Sequence, residues 1–432
     1  QLDEPKLDRR SLLKLGVAGT AAALASGVST SAQAREDGFG TVVHDDYPVE
    51  LSPEYKRFSE YNTTIFRDAR KGIPDMNPSI DDSRPGFTTS EFAMSMASTT
   101  LYKYMYTQEP GLRLETVHQP HDVLPEPHKF ADSATAHAQI KRVARHFGAS
   151  VVGITRHDER WDYSELVDPH DIHDVRPWEE RMAGFKPKTM IVIGVEMEYE
   201  ALAAAPSLVS DATVLNAYSG LTYTLMHLSN YFNYLGYKTI PAMSGVSLHI
   251  PYAIAAGLGE INRMGLLQNY KYGTRLRLST LYTDLELDEY YDKPVTFGIQ
   301  DFCENCMHCA DKCPSKTIPR DIKPTFYTSE DTKGRPYMSY GIKKWQIDGQ
   351  KCHDYWIESG TTCGTCLATC PYNKPDFWHH RLIDRLNTIL PGPIHKFMAQ
   401  MDLWHGYGDT FDEKAPAVFW DPKGRSYNGL KG

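Results

Sequence analysis

The chain has 432 residues, of which 41% are hydrophobic, and a formal net charge of −9 at pH 7. This length predicts one large domain plus a smaller module, with enough apolar residues for a sizeable core. The acidic balance argues against nucleic acid as a partner, because that would require a basic face. It also argues against binding to anionic lipid by charge alone.

Residues 1–34 have the pattern of an export signal. Arg9 and Arg10 form a twin-arginine pair, which a weakly apolar run at 15–28 and an A-x-A cleavage site ending at Ala34 follow. The run is too short and too rich in Gly and Ala to span a bilayer, which takes about 20 apolar residues. An amphipathic surface helix is the alternative, but the order of these three features favours twin-arginine export of a folded protein.

The next part of the chain predicts a mixed α/β core. Residues 35–128 form an N-terminal region rich in Pro, Tyr and Asp, with helices expected at 52–68 and 89–106. From 129 to 297, strands (150–155, 189–196, 238–241, 275–282) alternate with helices (134–147, 211–235, 252–256). The longest helix carries an apolar stripe of 3.6-residue period and stops at Gly236. This alternation predicts an α/β sandwich.

All eight cysteines lie in the last third of the chain, in a module predicted at 298–375 that an aromatic tail at 376–432 follows. They form two near-repeats: Cys303-x2-Cys306-x2-Cys309-x3-Cys313-Pro and Cys352-x10-Cys363-x2-Cys366-x3-Cys370-Pro. Zinc ribbons and disulfides are the alternatives, since Cys-x2-Cys is also a zinc spacing. The doubled run instead predicts two [4Fe–4S] clusters, in which the last cysteine of each block ligates the other cluster. The first cluster site is then Cys303, Cys306, Cys309 and Cys370, and the second is Cys352, Cys363, Cys366 and Cys313.

Other motifs give weaker signals. The glycines at 257, 259 and 265 fail as a dinucleotide fingerprint, because the third is misplaced and no strand leads into them. They predict a loop poor in side chains, against which a large planar cofactor could lie. Asp171-Ile-His173 lacks the glycine that a cobalt-ligating histidine motif has three residues later, so His173 is predicted to be a surface loop residue. The histidine pairs 118/121 and 379/380 lack further ligands for a metal.

Several longer motifs together resemble one family, the catalytic subunits of respiratory reductive dehalogenases. These motifs are NAYS at 216–219, LGYKTIP at 235–241, IPYAIAAGLGE at 250–260, YGTRLR at 272–277, TDL at 283–285 and both cysteine blocks. The resemblance implies a nitroreductase-like α/β core that binds a base-off corrinoid (a cobamide), next to a ferredoxin-like module with two [4Fe–4S] clusters. It also implies removal of halide from a small chlorinated alkane or alkene by cobalt(I), at the end of a respiratory chain.

The resemblance also assigns roles to individual residues. Tyr218 matches the family's proton donor, and Arg277 is its expected basic partner, with Arg275 the second choice. Ser244 stands in a loop where the family often has Asn, and it is included among the catalytic residues. The expected cofactor-binding residues are Gly257, Gly259, Arg275 and Trp356. An apolar pocket suits a halocarbon, and the candidate aromatic residues for its wall are Phe39, Tyr102, Trp356 and Trp378.

The expected partners also follow from the resemblance. They are a halogenated hydrocarbon, a small integral-membrane anchor and a quinone-linked electron donor, with the protein attached to the outer face of the cytoplasmic membrane. A homodimer is left open. The main alternative is an epoxyqueuosine reductase, which shares the Gly-Leu-Gly loop and a two-cluster module but is cytoplasmic and lacks the export signal. A plain electron-transfer protein is a third hypothesis for the function.

Overall fold

The core of the protein is a four-stranded antiparallel sheet. The computed structural model describes residues 41–74, 76–102, 124, 126–168, 171–182, 184–243, 245–375, 380, 383, 392–404 and 406–421. The strands are β1 (Val42–Val43), β2 (Val151–Arg156), β3 (Glu165–Asp168), β4 (Asp171–Pro177), β5 (Thr189–Glu196), β6 (Thr239–Ala242), β7 (Glu260–Ile261), β8 (Leu267–Gln268), β9 (Leu276–Thr283) and β10 (Val295–Thr296). The central sheet has the order β2-β5-β9-β6, and β1–β10, β3–β4 and β7–β8 form two-stranded pairs.

Helices cover both faces of this sheet and build the C-terminal part. They are α1 (Thr64–Ala69), α2 (Thr89–Ser98), α3 (Ser133–His146), α4 (Trp178–Arg181), α5 (Tyr199–Ala203), α6 (Leu208–Tyr234), α7 (His249–Ala255), α8 (Ile299–Asn305), α9 (His308–Lys312), α10 (Gly349–Ser359), α11 (Thr365–Ala368), α12 (Gly392–Trp404) and α13 (Ala415–Trp420). Short 3-10 turns lie at Glu60–Asn62 and Glu159–Trp161.

Helix α6 is the longest element and follows its sequence pattern. Ser207 caps its N-terminus in a reciprocal capping box with Ser210. The helix ends before Gly236, whose φ of +83° lies in the left-handed region that glycine adopts at low cost. In its stripe, Leu221, Leu225 and Phe232 are fully buried against the sheet. Burial of this stripe holds α6 in register with β5 and β9.

Strand β5 is buried on both faces and therefore separates two apolar clusters. Ile191 and Ile193 pack on the side of α3 and α6. Met190 and Val192 point to the other side, where α7 and the β3–β4 hairpin pack. The structure is thus a mixed α/β fold, as the alternation of elements predicted.

Two local predictions were wrong. Residues 52–59 do not form a helix, because their polar groups bind other parts of the chain: Arg57 donates to the carbonyls of Asp162 and Tyr163, at 3.2 and 2.6 Å. His173 is exposed as expected, but it lies on β4 rather than in a loop. Exposure alternates along the first half of β4, and His173 lies on its solvent-facing side.

Some predicted residues lie outside the described part of the chain. These are the export signal at 1–34, Phe39, His118, His121, Ser244, Trp378 and His379. Within the described residues, no helix has the length and apolar character needed to cross a membrane.

Candidate functional site

The eight cysteines converge in two groups between short helices. Cys303 lies on α8 and Cys309 on α9, whereas Cys352 lies on α10 and Cys366 on α11. After burial, the largest influences on the pKa of the Cys309 thiol are Cys303, Cys306 and Cys370. The corresponding influences on the Cys366 thiol are Cys363, Cys352 and Cys313. The last cysteine of each block therefore faces the other block, which is the crosswise grouping of the two predicted cluster sites.

The first cluster site lines a small cavity. Its wall includes the cysteines Cys303, Cys306, Cys309 and Cys370, together with Arg263 and Gln268. Burial raises the pKa of the Cys303 thiol to about 11 and that of Cys306 to about 12. These thiols hold their protons at neutral pH unless a metal displaces them, since coordination deprotonates a thiol outright. Four soft sulfur donors around an enclosed cavity fit an iron–sulfur cluster.

The second cluster site has polar side chains next to its sulfurs. The Thr365 Oγ1 hydroxyl lies 3.0 Å from Cys363 Sγ, and the Ser315 hydroxyl lies 3.4 Å from Cys313 Sγ. The Trp356 side chain lies close to the Cys352 thiol and opposes the rise in the pKa of that thiol caused by burial. Trp356, predicted to contact a cofactor, therefore lies against a predicted cluster ligand. Donors of this kind stabilise thiolates and raise cluster potentials.

Tyr218 and Arg277 come together where α6 crosses β9. The guanidinium carbon of Arg277 lies 5.1 Å from the centroid of the Tyr218 ring. The Tyr102 ring stacks on Tyr218 with a centroid separation of 5.2 Å and an interplanar angle of 27°. Arg277 Nε is buried and has no hydrogen-bond partner among the described residues. The Arg277 guanidinium can therefore stabilise negative charge on the Tyr218 oxygen. The Tyr102 ring screens the Tyr218 ring from solvent.

Arg275 points elsewhere. Its guanidinium pairs with the Glu196 carboxylate and donates to the carbonyls of Met197 and Lys374, at 3.0 and 3.2 Å. The side chain is 2% exposed. Because Lys374 follows the second cysteine block, Arg275 links the sheet to the cysteine-rich part of the chain. Of the two arginines, only Arg277 lies against Tyr218.

Asp211 is a buried residue of this site that the sequence did not single out. It lies in the first turn of α6, and its carboxylate accepts from the Ser95 hydroxyl at 2.5 Å. It also accepts from the backbone N–H and the hydroxyl of Thr362, at 3.0 and 2.8 Å. Burial raises the pKa of Asp211, and the charge of Arg277 acts in the opposite direction. Asp211 thus joins Arg277 electrostatically to the loop that precedes Cys363.

The two glycines of the predicted cofactor loop have a packing role. A Cβ on Gly257, at φ +68°, would lie 2.5 Å from the Lys293 carbonyl oxygen. A Cβ on Gly259, at φ +151°, would collide with the carbonyl of Gln268. Close approach of backbone is thus sufficient to require glycine at both positions. No described contact assigns them to a cofactor.

Buried polar atoms without partners lie just before β9 and along it. Among the described residues they include Thr274 Oγ1, Arg275 Nε, Arg277 Nε and Ser279 Oγ. Buried polar groups are normally satisfied, so a run of orphaned ones indicates a polar ligand or ordered water. A larger open cavity, lined by Thr155, His157 and other residues, lies at the opposite end of the sheet and contains none of the predicted site residues.

Comparison with known proteins finds similarity of both sequence and fold. Residues 302–373 match a family model described as a 4Fe-4S double cluster binding domain. The chain is 34% identical over 311 residues to the tetrachloroethene reductive dehalogenase of Dehalobacter restrictus (strain DSM 9455 / PER-K23), covering 65% of this chain and 55% of the relative. It is 34% identical over 316 residues to the protein of the same name from Sulfurospirillum multivorans, covering 67% and 59%. The solved structure of the catabolic reductive dehalogenase NpRdhA aligns with a TM-score of 0.64 at 21% identity, over 85% of this chain and 49% of that chain.

These similarities indicate the class of protein and the family that the chain resembles. The cysteine-rich part makes it an iron–sulfur protein of the double-cluster class. By sequence, the chain is similar to tetrachloroethene reductive dehalogenases, and the resemblance predicted from its motifs is confirmed. The chain spans somewhat more than half the length of the curated relatives that it matches.

Proposed function

We propose that the protein catalyses reductive dehalogenation of a small chlorinated hydrocarbon. In that reaction two electrons and one proton convert the carbon–halogen bond into a carbon–hydrogen bond and release halide. The observation that carries the proposal is the Tyr218–Arg277 pair beside two crosswise cysteine groups, in a chain related to tetrachloroethene reductive dehalogenases. The cysteine groups would deliver electrons and the tyrosine would deliver the proton.

A corrinoid bound in a nitroreductase-like core completes the proposal. The orphaned polar atoms from Thr274 to Ser279 fit such a ligand, because its amide groups and nucleotide tail can donate and accept hydrogen bonds. Arg275, just before β9, would hold it, and Trp356 lies at the neighbouring second cluster site. When bound, the corrinoid supplies a strong two-electron reductant. Gly257 and Gly259 would shape the loop beside it rather than contact it.

Within this proposal Tyr218 is the general acid. It would transfer its phenol proton to the carbon from which halide leaves, and Arg277 would stabilise the resulting phenolate. Asp211 would hold the arginine's charge near the ring, since its carboxylate interacts with Arg277 from the same helix. The Tyr102 ring would keep water from the acid. Ser244 stays a predicted member of the catalytic set.

The cellular setting is also proposed. Twin-arginine export, attachment to a small membrane anchor at the outer face of the cytoplasmic membrane, and a quinone-linked donor are consistent with the motif at Arg9 and Arg10. A chlorinated ethene or ethane is the proposed substrate class, and tetrachloroethene is named for two relatives. A homodimer is consistent with this setting but rests on no described contact.

An epoxyqueuosine reductase is the second candidate. The chain is 31% identical over 191 residues to the epoxyqueuosine reductase of Lactococcus garvieae (strain Lg2), covering 40% of this chain and 48% of that protein. The shorter match and the net charge of −9 favour the dehalogenase, because a tRNA substrate calls for a basic face.

The proposal is tested with protein assembled anoxically with iron, sulfide and a corrinoid. We expect about eight iron and one cobalt per chain. We also expect chloride release from tetrachloroethene or another chlorinated ethene or ethane with a low-potential reductant. Tyr218→Phe should abolish chloride release, whereas Tyr223→Phe, at an exposed position of the same helix, should leave it unchanged. Eight iron without cobalt, or chloride release that survives Tyr218→Phe, would contradict the proposed mechanism.

A further inference from the structure

Arg263 is a buried cation in the loop between β7 and β8, and its side chain is 1% exposed. Its guanidinium donates to four backbone carbonyls. Nη2 lies 2.6 Å from the Cys303 oxygen, and Nη1 lies 2.9 and 2.6 Å from the oxygens of Pro319 and Asp321. A longer contact of 3.5 Å reaches Ile322. The acceptors stabilise the guanidinium, but none of them carries a charge.

The described residues supply no carboxylate as an ion-pair partner for this guanidinium. The buried carboxylate nearest in sequence, that of Glu260, accepts instead from the backbone N–H groups of Phe297 and Ile299. On its other side the guanidinium lies over the Trp345 ring, 4.7 Å from the centroid. Burying a charge costs several kcal/mol unless an opposite charge compensates it. A buried arginine with only neutral acceptors therefore indicates an anion that binds nearby.

The cavity beside Arg263 identifies this anion. Arg263 lines the same cavity as the four cysteines of the first cluster site. A cubane held by four thiolates is an anion, and it gains one more negative charge when it accepts an electron. A fixed positive charge therefore stabilises the reduced cluster more than the oxidised cluster.

We propose that Arg263 is the buried counter-charge of the first iron–sulfur cluster and raises the reduction potential of that cluster. The inference rests on the cluster-binding part of the proposed function and is independent of dehalogenation. The step is the transfer of one electron from an external reductant to the cluster, without bond making or breaking. Arg263 is a positioning and tuning residue, since it acts on the cluster through space and through the backbone of Cys303.

The test is a potentiometric titration of the full chain, followed by electron paramagnetic resonance. Arg263→Gln removes the charge and keeps some donors, whereas Arg263→Lys keeps the charge. At a fixed potential, Arg263→Gln should lower the reduced-to-oxidised ratio of the first cluster at least tenfold, a shift of about 59 mV for one electron. Arg263→Lys should stay close to wild type. A Cys352→Ala chain, which lacks a predicted ligand of the second cluster, assigns the two signals.

Each result decides the inference. An unchanged first-cluster potential in Arg263→Gln would overturn it. So would an equal shift in Arg263→Lys, because hydrogen-bond geometry rather than charge would then set the potential. If Arg263→Gln does not assemble, Arg263→Lys decides. Assembly with a wild-type potential supports the counter-charge, and failure to assemble shows that the carbonyl contacts are what the site requires. Absence of iron in the wild-type chain would instead contradict the proposed function.

Discussion

Replacing Arg277 by glutamine tests the proposed proton donor most directly. The guanidinium carbon lies 5.1 Å from the Tyr218 ring centroid. If this separation is taken as the distance between the two charges, an effective dielectric constant of about 20 gives a stabilisation of the phenolate of about 3 kcal/mol. Each 1.4 kcal/mol is about tenfold in rate, so Arg277→Gln should lower kcat by roughly 100-fold. Arg277→Lys keeps the charge and should lose less.

The assay is chloride release under saturating substrate, with iron and cobalt content measured for every variant. Arg142→Gln, at an exposed position on α3, is a matched control and should leave kcat unchanged. Equal metal content in Arg277→Gln and wild type would show that the loss comes from chemistry and not from assembly. KM should change little, because the arginine acts on the phenolate that forms during proton transfer.

A double-mutant cycle tests whether Arg277 acts through Tyr218. If Arg277 acts through Tyr218, adding Arg277→Gln to Tyr218→Phe should cost little more than Tyr218→Phe alone. Should the arginine substitution cost the same 100-fold in both backgrounds, its role would lie elsewhere, for example in holding the corrinoid. The electrostatic argument would then be wrong, even though the two side chains are in contact.

Three further predictions concern the parts around this pair. Thr365→Val should lower the reduction potential of the second cluster by roughly 20–60 mV and leave that of the first cluster unchanged. The reason is that a hydrogen bond to the Cys363 sulfur is worth about 0.5–1.5 kcal/mol. A redox titration measures both potentials. Gly259→Ala should markedly lower the denaturation midpoint and the iron content, since its methyl group would collide with the Gln268 carbonyl. Burial raises the pKa of Glu260 to about 7, so its contribution to the unfolding free energy is full below about pH 4.5 and is lost as the pH rises through 7. Glu260→Gln should remove this part of the slope, up to about 1.4 kcal/mol per pH unit, in denaturant titrations at several pH values.

Local patterns predicted the core elements well. The four strands of the central sheet and helix α6 lie within a residue or a few of their predicted positions, because burial on one or two faces imposes a clear period. The helix predicted over residues 52–59 is absent, because Arg57 is held by distant carbonyls that no local pattern reveals. The cysteine blocks were the strongest signal, because ligand spacing is itself a constraint on geometry.

The partner of Tyr218 could not be chosen from sequence alone. Arg275 and Arg277 have the same parity, so an ideal strand would point both to one face. Strand β9 begins at Leu276, however, so the direction of Arg275 is not fixed by the pleat, and the side chain turns toward Glu196. Asp211 was missed for a related reason. An acidic residue in the first turn is typical of a helix, and its partners Ser95 and Thr362 are far away in sequence.

Helix α6 also explains how electrons and a proton could reach the same place. Asp211 and Tyr218 are seven residues apart on it, which is two turns and about 10 Å along the axis. Asp211 binds Thr362, the neighbour of Cys363, while Arg277 faces Tyr218. One rigid helix therefore fixes the distance between the loop of the second cluster site and the phenol. Cleavage of a carbon–halogen bond needs two electrons and a proton at one carbon, and under the proposed function the same buried helix would set both positions.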